Sequence, residues 1–344
     1  MTSQTSGPKA TLESGPGGGR LAATAVGAVG AQNLILLMAI VAVAALFGVL
    51  DPGYLAWSNI RVIGDAVTIA GLLAVVQTVV IICGALDISV GSATGVASVV
   101  SAMAFMATDR SPVLGMAAAL VVGLLLGVVN GIVIVYGRVN AVIATLATLA
   151  AYKGLAQLLS GGAAQGYVLG DDLFIFISRG SIIGLPTMVW ILALVAVAIH
   201  VLLKYTDIGR NLYAIGGNDT AARLAGIDIN KYLIAVYALA GLIAAVAGII
   251  LTARIGSGHP TSGSAGLELK AITAAALGGC ALKGGKGGVG GTLLAVVLLG
   301  ALENGLTFHG ISTFWQNVAQ GALLVVAVVI QQRRSGERAV GLPT

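Results

Sequence analysis

Charge is what this chain has least of. Only 9% of its 344 residues are Asp, Glu, Lys or Arg, against roughly 25% in water-soluble domains, so it cannot clothe a water-facing surface of that size. Cysteine is nearly absent. Cys83 and Cys280 lie in or beside apolar segments and offer neither a disulfide framework nor a metal cluster. His200, His259 and His309 are far apart, with no metal-ligand spacing between them, so no catalytic, cofactor or metal site is expected. A phosphate-cradling loop is missing too. The stretch GGCALKGGKGGVGG at 278–291 invites that reading, but Gly285-Lys286 is followed by Gly287, and Cys280 stands where the first glycine belongs. Without the Ser or Thr that would hold Mg²⁺ the motif fails, and the glycines suit a tight turn with positive φ instead.

Apolar side chains make up 58% of the residues and the mean hydropathy is +1.01: this is an integral membrane protein. A span needs about 20 apolar residues, and uncharged runs cover 34–50, 66–86, 88–108, 113–136, 182–203 and 233–253. The run 139–160 carries Lys153, and 262–282 carries Glu268 and Lys270 near one end. The last run, 288–330, holds Glu303 as its one charge and is divided by His309-Gly310. The fold class predicted is an all-α polytopic membrane protein of about ten transmembrane helices. Lys and Arg gather twelve to four on one side of this layout, and short cytoplasmic loops carry that excess, which places the N- and C-termini in the cytoplasm. The net charge of +5 reflects the same bias and implies no nucleic acid partner. GVVNGIVIVYG (127–137) echoes GALENGLTFHG (300–310), and five spans per half insert in opposite senses, giving two five-helix inverted repeats. Residues 1–32, rich in Gly, Ser, Thr and Ala, read as a disordered cytoplasmic N-terminal tail. Residues 33–331 form the transmembrane domain, and 332–344 a cytoplasmic C-terminal tail.

Three segments hold candidate functional residues. In GALDISVGS (84–92) one carboxylate, Asp87, sits between two apolar runs. An acid there marks a transport pathway or caps the helix starting near Ser89. The long loop 204–232 contains TAARLAGI, a short helix capped by Asn218 or Asp219 and by Gly226, whose alanines and Leu224 form an apolar stripe suited to docking into a partner's groove; a plain surface loop is the alternative. In GSGHPTSGSAG (256–266) breakers precede Glu268 and Lys270, which stand two apart and do not face each other on a helix. That segment reads as an irregular outer gate with Glu268 capping the helix, or as an external loop. Gly123, Gly127 and Gly131 at i, i+4, i+8 predict close helix packing within one subunit, a dimer seam being the alternative.

In order along the chain, LDISVGS (86–92), NAVIATLAT (140–148), TDIGRNLYAIGGNDTAARLAGI (206–227), GLELKAI (266–272) and the glycine-rich stretch together resemble the permease subunits of bacterial ATP-binding-cassette (ABC) importers for monosaccharides of the ribose, arabinose, galactose and xylose type. The resemblance covers residues 34–331. Cys280 departs from the hydroxyl residue often found there. The resemblance implies a translocation subunit of the inner membrane, acting with cytoplasmic ABC ATPase subunits, a periplasmic or extracellular sugar-binding protein, and a second permease copy or a related permease in the lipid bilayer. It assigns ATPase coupling to Gly209, Arg210, Gly217, Asn218, Asp219, Ala221, Ala222 and Gly226. Pathway and gating candidates are Asp87, Ser89, Asn130, Asn140, Thr145, Glu268 and Asn304, mainly hydroxyls and amides that suit a neutral polyol. A branched-chain amino-acid ABC permease is the nearest alternative; a secondary carrier is disfavoured by the long helix-bearing loop.

Overall fold

The computed structural model describes residues 18–261 and 264–335. Helix α1 (Gly18–Leu50) leads through a 3₁₀ turn at Pro52–Leu55 into α2 (Trp57–Ile82). There follow α3 (Val90–Ala107), α4 (Pro112–Tyr136) and α5 (Ala141–Ser160). A short amphipathic helix α6 (Asp172–Arg179) and a two-residue hairpin, β1 (Ser181–Ile182) with β2 (Leu185–Pro186), precede α7 (Thr187–Tyr205). Beyond it come α8 (Asp207–Gly217), α9 (Asp219–Leu224), α10 (Ile229–Ile255), α11 (Leu267–Leu277), α12 (Val289–Phe308) and α13 (Thr313–Ser335). The expected N-terminal tail overlaps the start of α1; residues 1–17 and 336–344 lie outside the described residues.

Eight helices among the described residues are long and apolar enough to cross a bilayer: α2, α3, α4, α5, α7, α10, α12 and the Gly30–Leu50 part of α1. At 11 residues, α11 rises only about 16 Å, half of a hydrocarbon core. It is short because the breaker-rich residues before it carry the chain partway through the protein without helix.

The centre of the bundle is α2, α3, α4 and α10. Helix α2 is buried almost continuously from Val67 to Ile82. The glycine row of α4 faces α10 in the same chain: side chains on Gly123, Gly127 and Gly131 would collide with Ala245, the Tyr237 carbonyl and Ile234 respectively. The reading of tight packing within one subunit holds for this row. Loss of Cβ lets two backbones approach, and dispersion over the long contact replaces the hydrophobic drive that lipid does not supply.

Candidate functional site

Two helices, α3 and α11, each follow a stretch of non-helical chain, and the two breaks meet. Helix α2 stops in a Schellman turn: Gly84 takes φ +84°, its N–H bonds the Ile81 carbonyl at 2.9 Å, and the Ala85 N–H reaches Val80 at 3.1 Å. Residues 85–88 then double back along α2 without helical bonds. With its amide oriented to satisfy both groups, the Gln77 side chain donates to the Asp87 carbonyl and accepts from its N–H, each at 3.2 Å. The Tyr237 hydroxyl donates to the Leu86 carbonyl at 2.9 Å. Non-helical backbone inside a membrane persists only with such partners.

Asp87 is 2% exposed. Its carboxylate accepts from the Ser89 N–H at 2.9 Å and the Ser89 hydroxyl at 2.6 Å. Ser89 is the N-cap residue of α3 but makes no side-chain cap of its own, so the acid secures the turn into the helix rather than the N–H groups of its first turn. The chain of polar contacts runs on. Asn130 on α4 donates to the Ser89 hydroxyl at 2.8 Å, and the Tyr152 hydroxyl on α5 donates to the Asn130 side-chain oxygen at 3.0 Å and the Leu126 carbonyl at 2.8 Å. Three helices, α3, α4 and α5, are thereby linked to one buried carboxylate.

The second break runs from the end of α10 to the start of α11. Ser264 is buried, as are Gly258 and Pro260. The segment lies along α3: a side chain on Gly95 would strike the Pro260 carbonyl, one on Gly258 the Ser98 carbonyl. The Ser98 hydroxyl accepts from the His259 N–H at 3.2 Å and meets the Thr252 hydroxyl at 2.9 Å, while Gln165 and Gly258 exchange backbone bonds of 2.8 Å. Among the described residues this is irregular backbone packed in protein; Ser262 lies outside them. The Glu268 carboxylate accepts from the Gly266 N–H at 3.3 Å and lies where a side chain on Gly91 would go. Thus the N-terminal ends of α3 and α11, about 180 residues apart in sequence, stand against each other.

Other expected members are elsewhere. Asn140 is exposed and caps α5 through the Val142 N–H at 2.9 Å. Thr145 is buried and bonds its own helix at Ala141. Asn304 accepts from Asn59 at 3.0 Å, near Tyr54. Sequence reasoning missed Tyr152, Tyr237 and the partner of Lys270: its ammonium pairs at 2.8 Å with Glu303 on α12, both half-buried. A lone acid and a lone base in separate apolar runs were the signal for that pair.

The glycine-rich stretch forms a tight turn rather than a Walker-type nucleotide loop. Gly284 and Gly285 take φ of +99° and +71°, and their N–H groups are already used, by Ala281 at 2.8 Å and by the Ile82 carbonyl at 2.9 Å. The turn wedges against the end of α8. A Cβ on Gly284 would lie 2.7 Å from Gly84 Cα and 2.9 Å from Gly216 Cα; one on Gly285 would lie 2.7 Å from Gly217 Cα. The Tyr213 hydroxyl donates to the Gly287 carbonyl at 2.9 Å. Backbones of α2, α8 and the turn therefore touch three residues before Asp87.

Beyond α8, Asn218 caps α9 by accepting from the Ala221 N–H at 2.9 Å, and Gly226 has φ +83°. The expected stripe divides. Ala222 is 3% exposed and packs into the main core, whereas Leu224 is 86% exposed. Asp219, Thr220, Ala221 and Arg223 also face out, as does Gly217, while Gly209 is buried and Arg210 is exposed beside Asp207.

The family described as "Branched-chain amino acid transport system / permease component" matches residues 59–328. The chain belongs to this permease family. It is 37% identical over 305 residues to the ribose import permease protein RbsC of Escherichia coli K12, covering 88% of this chain and 94% of that protein. It is 37% identical over 290 residues to RbsC of Bacillus subtilis, covering 83% and 88%. It is also 35% identical over 287 residues to the L-arabinose ABC transporter permease protein AraH of Azospirillum brasilense, covering 83% and 84%. No solved structure matches the chain. The permease is a multi-pass protein of the inner membrane and a transport subunit rather than an enzyme.

Proposed function

We propose that this permease carries a monosaccharide, a pentose or a hexose, delivered by an external binding protein, and that two cytoplasmic ABC ATPases drive it. The observation that carries the reading is the similarity over most of the chain to proteins named as ribose and arabinose permeases. The family description names branched-chain amino acids, but an amino acid would need a charge or helix dipole left available in the pathway. Here the Asp87 carboxylate is already engaged with the N–H and hydroxyl of Ser89.

On this reading the coupling element is α8 with α9, whose outward face presents Leu224, and the ATPase docks there. Ala222 anchors α9 to the core behind it. The breaker segment 256–266 with Glu268 is the outer gate, and a second copy or related permease completes the pathway. Ten crossings arise when α11 and α13 join the eight long helices, with both termini cytoplasmic. Two inverted repeats are supported by paired packing: α4 on α10 as α12 on α2, α3 on α4 as α11 on α12, and α3 on α10 as α11 on α2.

The test is uptake of labelled ribose, arabinose and leucine by vesicles containing the permease together with the cassette ATPase and secreted binding protein of the neighbouring reading frames. ATP-dependent sugar uptake needing both partners is expected. Leucine uptake would transfer the assignment to amino acids, and sugar uptake by the chain alone would remove it from ATP-driven transport.

A further inference from the structure

A cavity of about 400 Å³ opens between the end of α7 and the start of α12, lined by His200, Lys204, Arg210, Tyr213 and the backbone of 287–289. Its volume is that of a small-molecule cleft, and its polar lining is cationic. Lys204 and Arg210 are both exposed, and the acid beside them, Asp207, is ion-paired with Arg210. The 20-residue helix α12 starts in the cavity wall at Val289, and its N-cap residue, Gly288, makes no side-chain cap. Side chains built on Gly288 or Gly290 would meet nothing within 4 Å, so the space over that helix start is open.

A second observation says what fills it. On α7, Leu194, Val197 and Val201 are 72%, 61% and 44% exposed and stand at i, i+3, i+7, on one face of the helix. Lys204 continues that face by three residues. His200 lies only about 7 Å from the end of α7. An apolar stripe long enough for an acyl chain thus leads into a cation-lined cavity at the depth of the headgroups.

We infer that this cavity binds the phosphate of an anionic phospholipid, with Lys204 and Arg210 on the phosphate oxygens, the start of α12 beneath it, and the acyl chains along Leu194, Val197 and Val201. Basic pockets at this depth are suited to such headgroups. The site adjoins Tyr213 and Gly287, so its occupant touches the contact between α8 and the glycine turn. The reading of α8 and α9 as cytoplasmic decides only which leaflet supplies the lipid. A nanodisc offers the same lipid to both faces, so failure of binding would leave sidedness and sugar transport untouched.

The experiment places the purified permease in nanodiscs of phosphatidylcholine with or without phosphatidylglycerol. It reads the melting temperature, and the phospholipid retained by native mass spectrometry. Phosphatidylglycerol is expected to raise the melting temperature and to be retained. Lys204→Ala should weaken retention about five-fold, and Lys231→Ala, removing a cation elsewhere on the same side, should leave it unchanged. Gly288→Glu, which puts a carboxylate in the cavity at an extended backbone position (φ −178°), should also release the lipid, and it serves if Lys204→Ala is not recovered folded. Equal effects of Lys204→Ala and Lys231→Ala would overturn the site. Stabilisation by inorganic phosphate in detergent, with no further effect of phosphatidylglycerol, would overturn the lipid assignment in favour of a free anion.

Discussion

Gly216 and Gly217 are neighbours in sequence at the end of α8, and replacing each by alanine should have opposite results. A Cβ on Gly216 would overlap the Ile82 carbonyl oxygen and stand 2.6 Å from the Gly285 nitrogen. Both obstacles are backbone, so no rotamer change relieves them, and α8 must move away from α2 and from the glycine turn. Overpacking of this kind costs about 1–3 kcal/mol. Parting the turn from α2 also forfeits the bond from the Gly285 N–H to Ile82, about 1 kcal/mol more, so Gly216→Ala should destabilise by roughly 2–4 kcal/mol. A Cβ on Gly217 meets nothing within 4 Å, and alanine there gains up to about 1 kcal/mol of helix propensity. The assay is thermal unfolding of the purified permease beside ATP-driven uptake with its partners. Gly216→Ala should lower the melting temperature and reduce uptake per ATP hydrolysed, because α8, the helix proposed to couple to the ATPase, would no longer bear on the break beside Asp87. Gly217→Ala should keep both. Equal melting temperatures and equal uptake in the two variants would show that the three backbones do not touch as described.

Asp87→Asn keeps an acceptor for Ser89 and should retain most uptake; Asp87→Leu strands the buried N–H and hydroxyl of Ser89, a loss of about 1–3 kcal/mol for each unsatisfied group, and should abolish it, whereas equal loss in both, measured as initial rates, would revive a role for the charge itself. Leu224→Asp should prevent co-purification of the ATPase while leaving the melting temperature unchanged, and Ala222→Glu should instead lower the melting temperature by forcing a carboxylate into the core; a pull-down and a melt on each variant decide. Breaking the half-buried pair by Lys270→Met should destabilise more than Lys270→Met with Glu303→Gln, with a coupling of about 0.5–3 kcal/mol in a thermal double-mutant cycle; additive effects would mean the pair contributes nothing.

Long apolar runs made the spans legible, because a bilayer imposes length and composition directly. The cap of α9 was legible for the same local reason: Asn218 acts within three residues of its own position. What depended on distant partners was not. Nothing near Ala222 announces that it turns into the core while Leu224, two positions on, turns out; a six-residue helix has too few turns for a periodic stripe to fix its inner face. Lys270 and Glu303 find each other across 33 positions, and Asn304 meets Asn59 across 245. Asp87 and Glu268 were each conspicuous as acids in apolar surroundings, but their convergence needed the fold that brings the starts of α3 and α11 together. The span expected over 262–282 was overlong by nearly half because hydropathy does not distinguish buried irregular backbone from helix.

The glycine row of α4 joins the first half of the chain to α10, a helix of the second half, backbone against backbone. The two halves of the chain are consequently interlocked and cannot swing apart like the jaws of a clamp without tearing open their tightest seam. A substrate passage that opens alternately to either side has to leave this seam closed, with the short, broken elements around α3 and α11 yielding at its edge.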